Sequence, residues 1–531
     1  MIGTFIVYAT IAGLAMALGW ISWSTPFFTF VAFAPLWFTM YKLHKDNYRH
    51  SYLLAGAMCL LFFSMWNAMA TWWLVNATWG GFFIAFGFNT VAMTLIMLLS
   101  YFVSRRKGYV VGVIFWIALW LSFEKMHLEW ELAWPWLNLG NAFANYPSLI
   151  QWYEYTGTLG GSLWILLSGA LVFYVWVEYD KGVRGEKLYK KCAAPLGVIL
   201  LPMIVSLAIG SMVPSTSYSM EAIALQPNID PYEEKYSMND DAAADLIIDM
   251  ADSVILPSTR LVVAPETFLP DYKDFTRPYD FPVYERLKDY AVKHDSLTIV
   301  TGASYLKRYF SEQCPTPTAH RSGRGMWYDL YNVAVQVTPS SYELYQKSKL
   351  VPGVESFPYR NIMEPLLGNT VMDFGGMVGS VVTQEEREVF SSHDDSLRIA
   401  PVICYESVFG EFVNGYIKNG ANVICIITND AWWGDTEGHR QHLSFARLRA
   451  IETRTPIIRS ANTGISAFID AKGDITASQY YNSRKALVGK INIVNAPETF
   501  YVRYGDYIAR PMPYIALFWF IISLIPSRKR K

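Results

Sequence analysis

The sequence predicts a polytopic α-helical membrane domain of about eight spans, joined to a large α/β domain on the far side of the membrane. Three observations predict it. Hydrophobic residues make up 52% of the chain and charged ones 17%, with 19 tryptophans. The apolar residues are concentrated in long runs rather than spread, and the stretch from Tyr218 to about Arg503 has a different character, with frequent charges and short alternating strand-like and helix-like runs.

A bilayer core takes about 20 apolar residues per helix. Runs of that kind lie near 3–22, 25–41, 51–75, 81–103, 109–123, 159–178 and 195–213, and an eighth lies near 511–526. Met1-Ile-Gly-Thr lacks the basic start of a signal peptide and a second span follows at once, so the first run is read as a retained helix. Orientation follows from lysine and arginine in short loops. Lys42, Lys45 and Arg49 follow the second span, Arg105, Arg106 and Lys107 the fourth, and Lys181, Arg184, Lys187, Lys190 and Lys191 the sixth; Arg528-Lys-Arg-Lys531 ends the chain. With eight spans, all four clusters share one side only if both termini are cytoplasmic, which puts 214–510 outside. The expected division is 1–213 with seven spans, 214–504 as the α/β domain, and 505–531 as the last span and basic tail.

Within the α/β domain, strands are expected at Ala222–Gln226, Leu261–Ala264, Leu297–Gly302, Asn332–Val337, Ile399–Cys404, Val423–Thr428, Ile457–Ser460, Ile465–Ile469 and Leu487–Ile493. Helices are expected at about 238–254, 282–294, 407–419 and 438–454, and long loops at about 305–328 and 366–397. Such alternation over a stretch this long predicts a layered α/β fold with a sizeable core.

The chemistry-bearing residues stand at strand ends, where open α/β layers carry reactive groups. Cys404 closes Arg398-Ile-Ala-Pro-Val-Ile-Cys-Tyr-Glu406, Glu266 follows Val262-Val-Ala-Pro, and Lys347 lies in Tyr345-Gln-Lys-Ser-Lys-Leu-Val-Pro352. A glutamate, a lysine and a cysteine so placed form a candidate nucleophilic triad: a base, a fixed positive charge and a thiol. Each residue has a plainer reading, with Glu266 a turn carboxylate, Lys347 a solvated lysine beside Lys349, and Cys404 a buried thiol like Cys425. Three cysteines, Cys314, Cys404 and Cys425, fall in the α/β domain, which is no disulfide framework; a Cys314–Cys404 bridge would abolish the nucleophile. His439 and His442 stand three apart without a third zinc-spaced ligand and are read as structural or surface residues, so no metal is expected. A net charge of −1 and the absence of a glycine-rich phosphate motif give no support to nucleic-acid binding or a nucleotide cofactor.

Taken in order, these segments resemble the nitrilase superfamily and, with the spans, its membrane-embedded branch, the apolipoprotein N-acyltransferases. Ala224-Leu-Gln-Pro-Asn-Ile-Asp230 resembles the family's opening strand and Pro265-Glu266-Thr its glutamate segment. Lys347 with Leu350-Val-Pro352 and Glu355 resembles the lysine and second glutamate, and Cys404-Tyr-Glu406 the nucleophile segment. Thr428-Asn-Asp-Ala-Trp-Trp-Gly434, His442-Leu-Ser-Phe-Ala-Arg-Leu-Arg-Ala-Ile-Glu452 and Ser460-Ala-Asn-Thr-Gly464 are similar to its most specific stretch, and Trp134-Pro-Trp-Leu-Asn-Leu-Gly140 to a loop of the membrane part. Where the family usually reads Leu-Val-Pro-Phe-Gly-Glu this chain has Leu350-Val-Pro-Gly-Val-Glu355, and Ala264 stands where tryptophan is frequent.

The resemblance implies a nitrilase-like αββα sandwich with Glu266, Lys347 and Cys404 catalytic. It implies a phospholipid acyl donor, a diacylglyceryl-modified lipoprotein acceptor and residence in the bacterial inner membrane, with no cofactor. Glu355 and Glu406 would orient Lys347 or the incoming amine, or form structural salt bridges. Tyr405 would shape the oxyanion pocket by its N–H or ring, or simply pack, and Asn429 and Asp430 would line the pocket or form a turn. Two rivals are a membrane-tethered amidase with the same triad, for which seven spans are superfluous, and a receptor or transporter, against which the scarcity of charges within the spans speaks.

Overall fold

The computed structural model describes residues 2–230, 238–356, 358–359, 380–494 and 496–526. The basic tail at 528–531 and the first part of the expected loop 366–397 lie outside the described residues. The chain divides into two compact units. One holds the residues up to Val75, Trp79–Met212 and those from Tyr504 onward; the other holds Asn76–Thr78 and Val213–Arg503.

The first unit is helical, with a helix on each of the eight apolar runs. By length and composition six of them can cross a membrane: Ile2–Trp20, Ser51–Thr71, Trp79–Lys107, Tyr109–His127, Tyr153–Asp180 and Gly185–Met212. Thr29–Lys45, with 17 residues, and Met512–Leu524, with 13, are shorter. At 1.5 Å per residue the latter reaches only about 20 Å. The helix Gly185–Met212 starts ten residues ahead of the expected run and takes Lys187, Lys190 and Lys191 into its first turns rather than a loop. Long basic side chains there can keep their charges in water while their stems lie along apolar surface. The packing is aromatic: Trp66 stacks on Trp120 at 6.2 Å and Trp20 donates from Nε1 to the Trp136 carbonyl. One carboxylate is buried among these rings. Glu124 accepts from Trp120 Nε1 (2.9 Å) and Leu139 N (2.8 Å), and so fastens the Trp134–Gly140 loop to a helix.

The second unit is built on two sheets. The strands are β1 (Thr216–Gln226), β2 (Thr259–Val263), β3 (Leu269–Asp274), β4 (Thr298–Phe310), β5 (His320–Gly323), β6 (Met326–Val337), β7 (Tyr342–Gln346), β8 (Phe390–Ser391), β9 (Arg398–Ile403), β10 (Val423–Thr428), β11 (Ile457–Ala461), β12 (Ala467–Ile469), β13 (Ile475–Ser478) and β14 (Lys485–Val494). The first sheet runs β14-β1-β2-β4-β6-β5, with β3 on β4 and β7 on β6; the second runs β13-β12-β11-β10-β9-β8. β1, β2 and β4 are parallel, as are β9, β10 and β11. Helices Asp240–Asp252 and Pro282–Lys293 cover the first sheet; Gly410–Lys418 and Glu437–Thr453 accompany the second. The sheets meet face to face, β1 against β11 and β6 against β9, giving an αββα sandwich. Strands buried on both faces read as continuous apolar runs, and Val423–Thr428 is buried at every position.

Two expectations need correction. The segment 305–328 is largely an antiparallel hairpin, with β4 and β6 paired from Ile299↔Val337 out to Phe310↔Met326, because alternating exposed residues there carry no apolar run to betray a strand. The short strand Phe390–Ser391 likewise interrupts the loop expected up to 397. β7 was also unexpected: its sequence, Tyr-Glu-Leu-Tyr-Gln, is half-exposed and polar.

Candidate active site

Strand direction gathers the site. β2 ends at Val263, β7 at Gln346 and β9 at Ile403, and Glu266, Lys347 and Cys404 follow within three residues of those ends. β7 is antiparallel to β6, which is antiparallel to β4, so β7 runs with β2 and β4 and delivers Lys347 to the same edge as Glu266.

Lys347 is buried, and its Nζ donates to Glu266 Oε1 at 2.8 Å and to Glu355 Oε1 at 2.7 Å. Burial alone would lower its pKa, but the two carboxylates outweigh it and hold the ammonium charged well above the ordinary lysine range. Lys349, the alternative lysine, instead lies 5.2 Å over the Phe409 ring. Asn332 Nδ2 donates to Glu266 Oε1 at 2.8 Å and reaches Glu355 Oε1 at 3.4 Å. Glu355 Oε2 accepts from Val351 N, which ties the Leu350–Glu355 loop back on itself despite its altered residues. The backbone of Glu266 and Thr267 lies directly on Gly302: a Cβ there would fall 2.2 Å from Thr267 N, so only glycine allows this approach.

Cys404 opens the 3₁₀ turn Cys404–Val408 with φ +49, the left-handed region, which a non-glycine residue occupies at a cost of about 1–3 kcal/mol. Such a residue between a strand and a helical turn raises its side chain at the sheet edge, as nucleophile elbows do. Burial pushes the thiol well above its usual range, Glu266 pushes it further, and Lys347 acts in the opposite sense. The resting group is therefore a thiol, and a base must take its proton when substrate arrives.

The remaining expected residues fall in different places. Glu406 is fully buried but does not pair with Lys347. Its Oε1 accepts from Tyr345 Oη (2.7 Å) and Ser348 N (2.6 Å) and its Oε2 from Ile403 N (2.7 Å), which locks the loop after β7 to the end of β9. These bonds take the place of the expected contact with Lys347, and burial pushes its carboxyl up to about 7. Tyr405 is buried edge-on against Phe409 at 5.2 Å. Asn429 lines a small cavity with Glu266, Thr267 and Asn462. Asp430 does not face that cavity. It is fully buried, with Oδ2 accepting from Arg459 Nη2 at 2.6 Å and Oδ1 3.1 Å from His442 Nδ1. Burial raises its pKa, but Arg459 and His442 prevail and hold the carboxylate below its usual range. His439 and His442 are fully buried, which excludes the surface reading. Asn332, Thr428 and His442 were not among the expected site residues. Asn332 had one signal, a lone amide inside the apolar run Tyr331-Asn-Val-Ala-Val335; the others had none in spacing or pattern. All five cysteines are free. Among the described residues no group of three His, Cys, Asp or Glu is arranged to hold a metal ion.

Residues 222–499, just over half the chain, match the family described as carbon-nitrogen hydrolase, and residues 12–171 match the apolipoprotein N-acyltransferase N-terminal domain. The chain belongs to the carbon-nitrogen hydrolase family, in its apolipoprotein N-acyltransferase branch. The apolipoprotein N-acyltransferase of Chlorobaculum tepidum is 24% identical over 510 residues, covering 94% of this chain and 92% of that one. The enzyme of that name from Rickettsia typhi is 28% identical over 473 residues, covering 86% and 84%. Among solved structures, carbon-nitrogen hydrolase from Helicobacter pylori G27 is similar to 59% of this chain and 95% of its own, with a TM-score of 0.36 and 14% identity. The carbon-nitrogen hydrolase match, the apolipoprotein N-acyltransferase N-terminal match and relatives of that name along nearly the whole chain mark it as a membrane-embedded acyltransferase.

Proposed function

We propose that the protein N-acylates lipoproteins by a two-step exchange through a Cys404 thioester. Glu266 takes the Cys404 proton, and the thiolate attacks the ester carbonyl of a phospholipid. The tetrahedral oxyanion forms beside the Lys347 ammonium, whose fixed charge in a dry site favours it without reorganisation. The ester C–O bond breaks, Glu266 returns the proton to the departing alkoxide, and a lysophospholipid leaves. The α-amino group of a diacylglyceryl-modified N-terminal cysteine then attacks the thioester carbonyl and gives a proton to Glu266. The C–S bond breaks, the thiolate recovers the proton, and an amide is released. Glu355 keeps Lys347 charged and in place throughout.

The observation that carries this reading is the Glu266–Lys347–Glu355 ion pair cluster, with Lys347 and Glu266 buried at strand ends of the first sheet and the left-handed Cys404 at a strand end of the second, its thiol acted on by both. Exclusion of water from such a site favours attack by an amine over hydrolysis. The chain enters the α/β unit after one apolar helix and leaves it into another, which suits two membrane-anchored substrates. The basic loops support an inner-membrane protein with cytoplasmic termini and the α/β unit outside.

The test is mass spectrometry of purified protein incubated with phospholipid alone. A fatty-acyl mass on the Cys404 peptide, removed by hydroxylamine and absent in Cys404→Ala, is expected. An intact, lipid-bound protein without adduct would sink the covalent route, and free fatty acid without acylated peptide would mark a hydrolase instead.

A further inference from the structure

Behind the nucleophile lies a buried cluster that the proposed exchange does not use. The Cys404 carbonyl accepts from Ser407 Oγ at 2.7 Å, and His442 Nε2 lies 3.2 Å from the same oxygen and 3.0 Å from Ser407 Oγ. Because a carbonyl only accepts, His442 donates from Nε2. On the other side of the ring, Nδ1 accepts from Arg459 Nη2 at 3.0 Å, and the same Nη2 donates to Asp430 Oδ2 at 2.6 Å, which leaves Asp430 Oδ1 3.1 Å from Nδ1. Thr428 donates to the same Asp430 Oδ1 at 2.9 Å, and the pairing of Ile427 with Ile403 sets Thr428 beside Cys404. His442, Asp430 and Arg459 are fully buried.

This arrangement converges on one peptide plane. Cys404 is held with φ +49, where a side chain is strained and a neighbouring extended conformation competes. Rotation about the Cys404 N–Cα bond, which alone would release that strain, carries the side chain and the carbonyl round together and so would swing the thiol. Two donors on the Cys404 oxygen oppose the rotation, and the Arg459 guanidinium, itself held by Asp430, donates to the far nitrogen and so fixes the tautomer and orientation of the ring that supplies one of them. We propose that His442, held by Arg459 and through it by Asp430, is a positioning residue: with Ser407 it fixes the Cys404 carbonyl and so aims the Cys404 thiol at the acyl carbonyl. The inference rests on Cys404 being the nucleophile. It gives His442 a function beyond the structural or surface role expected of it, and it accounts for the fully buried Asp430–Arg459 pair behind the ring.

The experiment is the burst of lysophospholipid released by the full-length protein with saturating phospholipid and no acceptor. Its amplitude counts folded, competent sites, and its rate reports acylation. For His442→Leu the amplitude per folded protein stays near one and the rate falls on the order of 30- to 100-fold, as a misplacement of about 1 Å produces. His442→Gln, which restores a donor near Nε2, recovers to within about fivefold. A purely structural role would let burst rate follow thermal stability and would not separate leucine from glutamine. A His442→Leu rate within about twofold of the wild type, or a glutamine variant as slow as leucine, overturns the inference. Should His442→Leu fail to fold, Ser407→Ala removes the other donor and is expected to slow the burst about 3- to 10-fold; no change there refutes the proposal equally. A wild-type protein without any burst would instead refute Cys404 as nucleophile and take this inference with it.

Discussion

Two cysteines on neighbouring strands make the sharpest comparison in the molecule. Cys425 lies mid-way along β10, paired with Pro401 on one side and Ile458 on the other, fully buried, with burial alone pushing its thiol up. Cys404 lies one residue past the end of β9 and is also buried, though 8% exposed where Cys425 is 0%. Yet its backbone is left-handed, and Glu266 and Lys347 act on its sulfur in opposite senses. Burial is common to both and decides nothing. The strand end decides, because there the backbone is released from the ladder and can turn one side chain toward groups delivered by other strands.

The largest expected effect tests that contrast directly. Cys404→Ala abolishes acyl transfer, a loss of at least ~10³-fold measured with a fluorescent lipopeptide acceptor. Glu266→Gln follows, with acylation slowed about 10²- to 10⁴-fold, the range for loss of a general base. Lys347→Met removes the oxyanion charge and also strands the buried Glu266 and the half-buried Glu355. It is expected to lower the rate by about 10²-fold and to destabilise the fold by about 3–5 kcal/mol in thermal unfolding.

The two partners of Cys404 can be told apart by alkylation, which needs thiolate but no base. Lys347 lowers the Cys404 pKa and Glu266 raises it. Iodoacetamide should therefore label Cys404 more slowly in Lys347→Met and faster in Glu266→Gln, although both variants lose turnover. In the unaltered protein labelling should rise with pH through 9, since the raised pKa leaves little thiolate at neutrality. Peptide mapping that found Cys425 labelled as readily as Cys404 in the native state would break the comparison.

The smallest effects concern the surroundings. Cys425→Ala leaves turnover unchanged and costs about 1 kcal/mol of stability, the typical cost of a small core truncation. Glu406, raised to about 7, binds its proton more tightly folded than unfolded. Its contribution is therefore favourable below about 4.5 and is lost as pH rises to about 7. Glu406→Gln should flatten the fall in melting temperature across that window.

Much of this was legible in the sequence. The eight apolar runs announced themselves because a bilayer demands long uninterrupted stretches, and the buried parallel strands because both faces of each are covered. Glu266, Lys347 and Cys404 were legible as strand-end residues in motifs resembling a family. What escaped did so for three separate reasons. β7 and the outer half of the β4–β6 hairpin are exposed on one side and lack an apolar run. His442 sits on a helix buried all round, so its spacing carries no periodic signal. Glu406 looked like a partner for Lys347 because it stands two residues from Cys404, but the 3₁₀ turn points it backwards onto Ile403 and Ser348.

The sequence by itself determined which segments suit lipid, which form strands, and which residues could carry a thiol, a base and a charge. Those properties depend on composition and periodicity over ten or twenty neighbouring residues. Only the tertiary structure decided that Glu266 and Lys347, 81 residues apart, share a hydrogen bond, that Asn332 joins them, and that Cys404 stands in a left-handed turn clamped from behind by His442. Those contacts depend on strand order, strand direction and ångström-scale register, which no local pattern in the chain encodes.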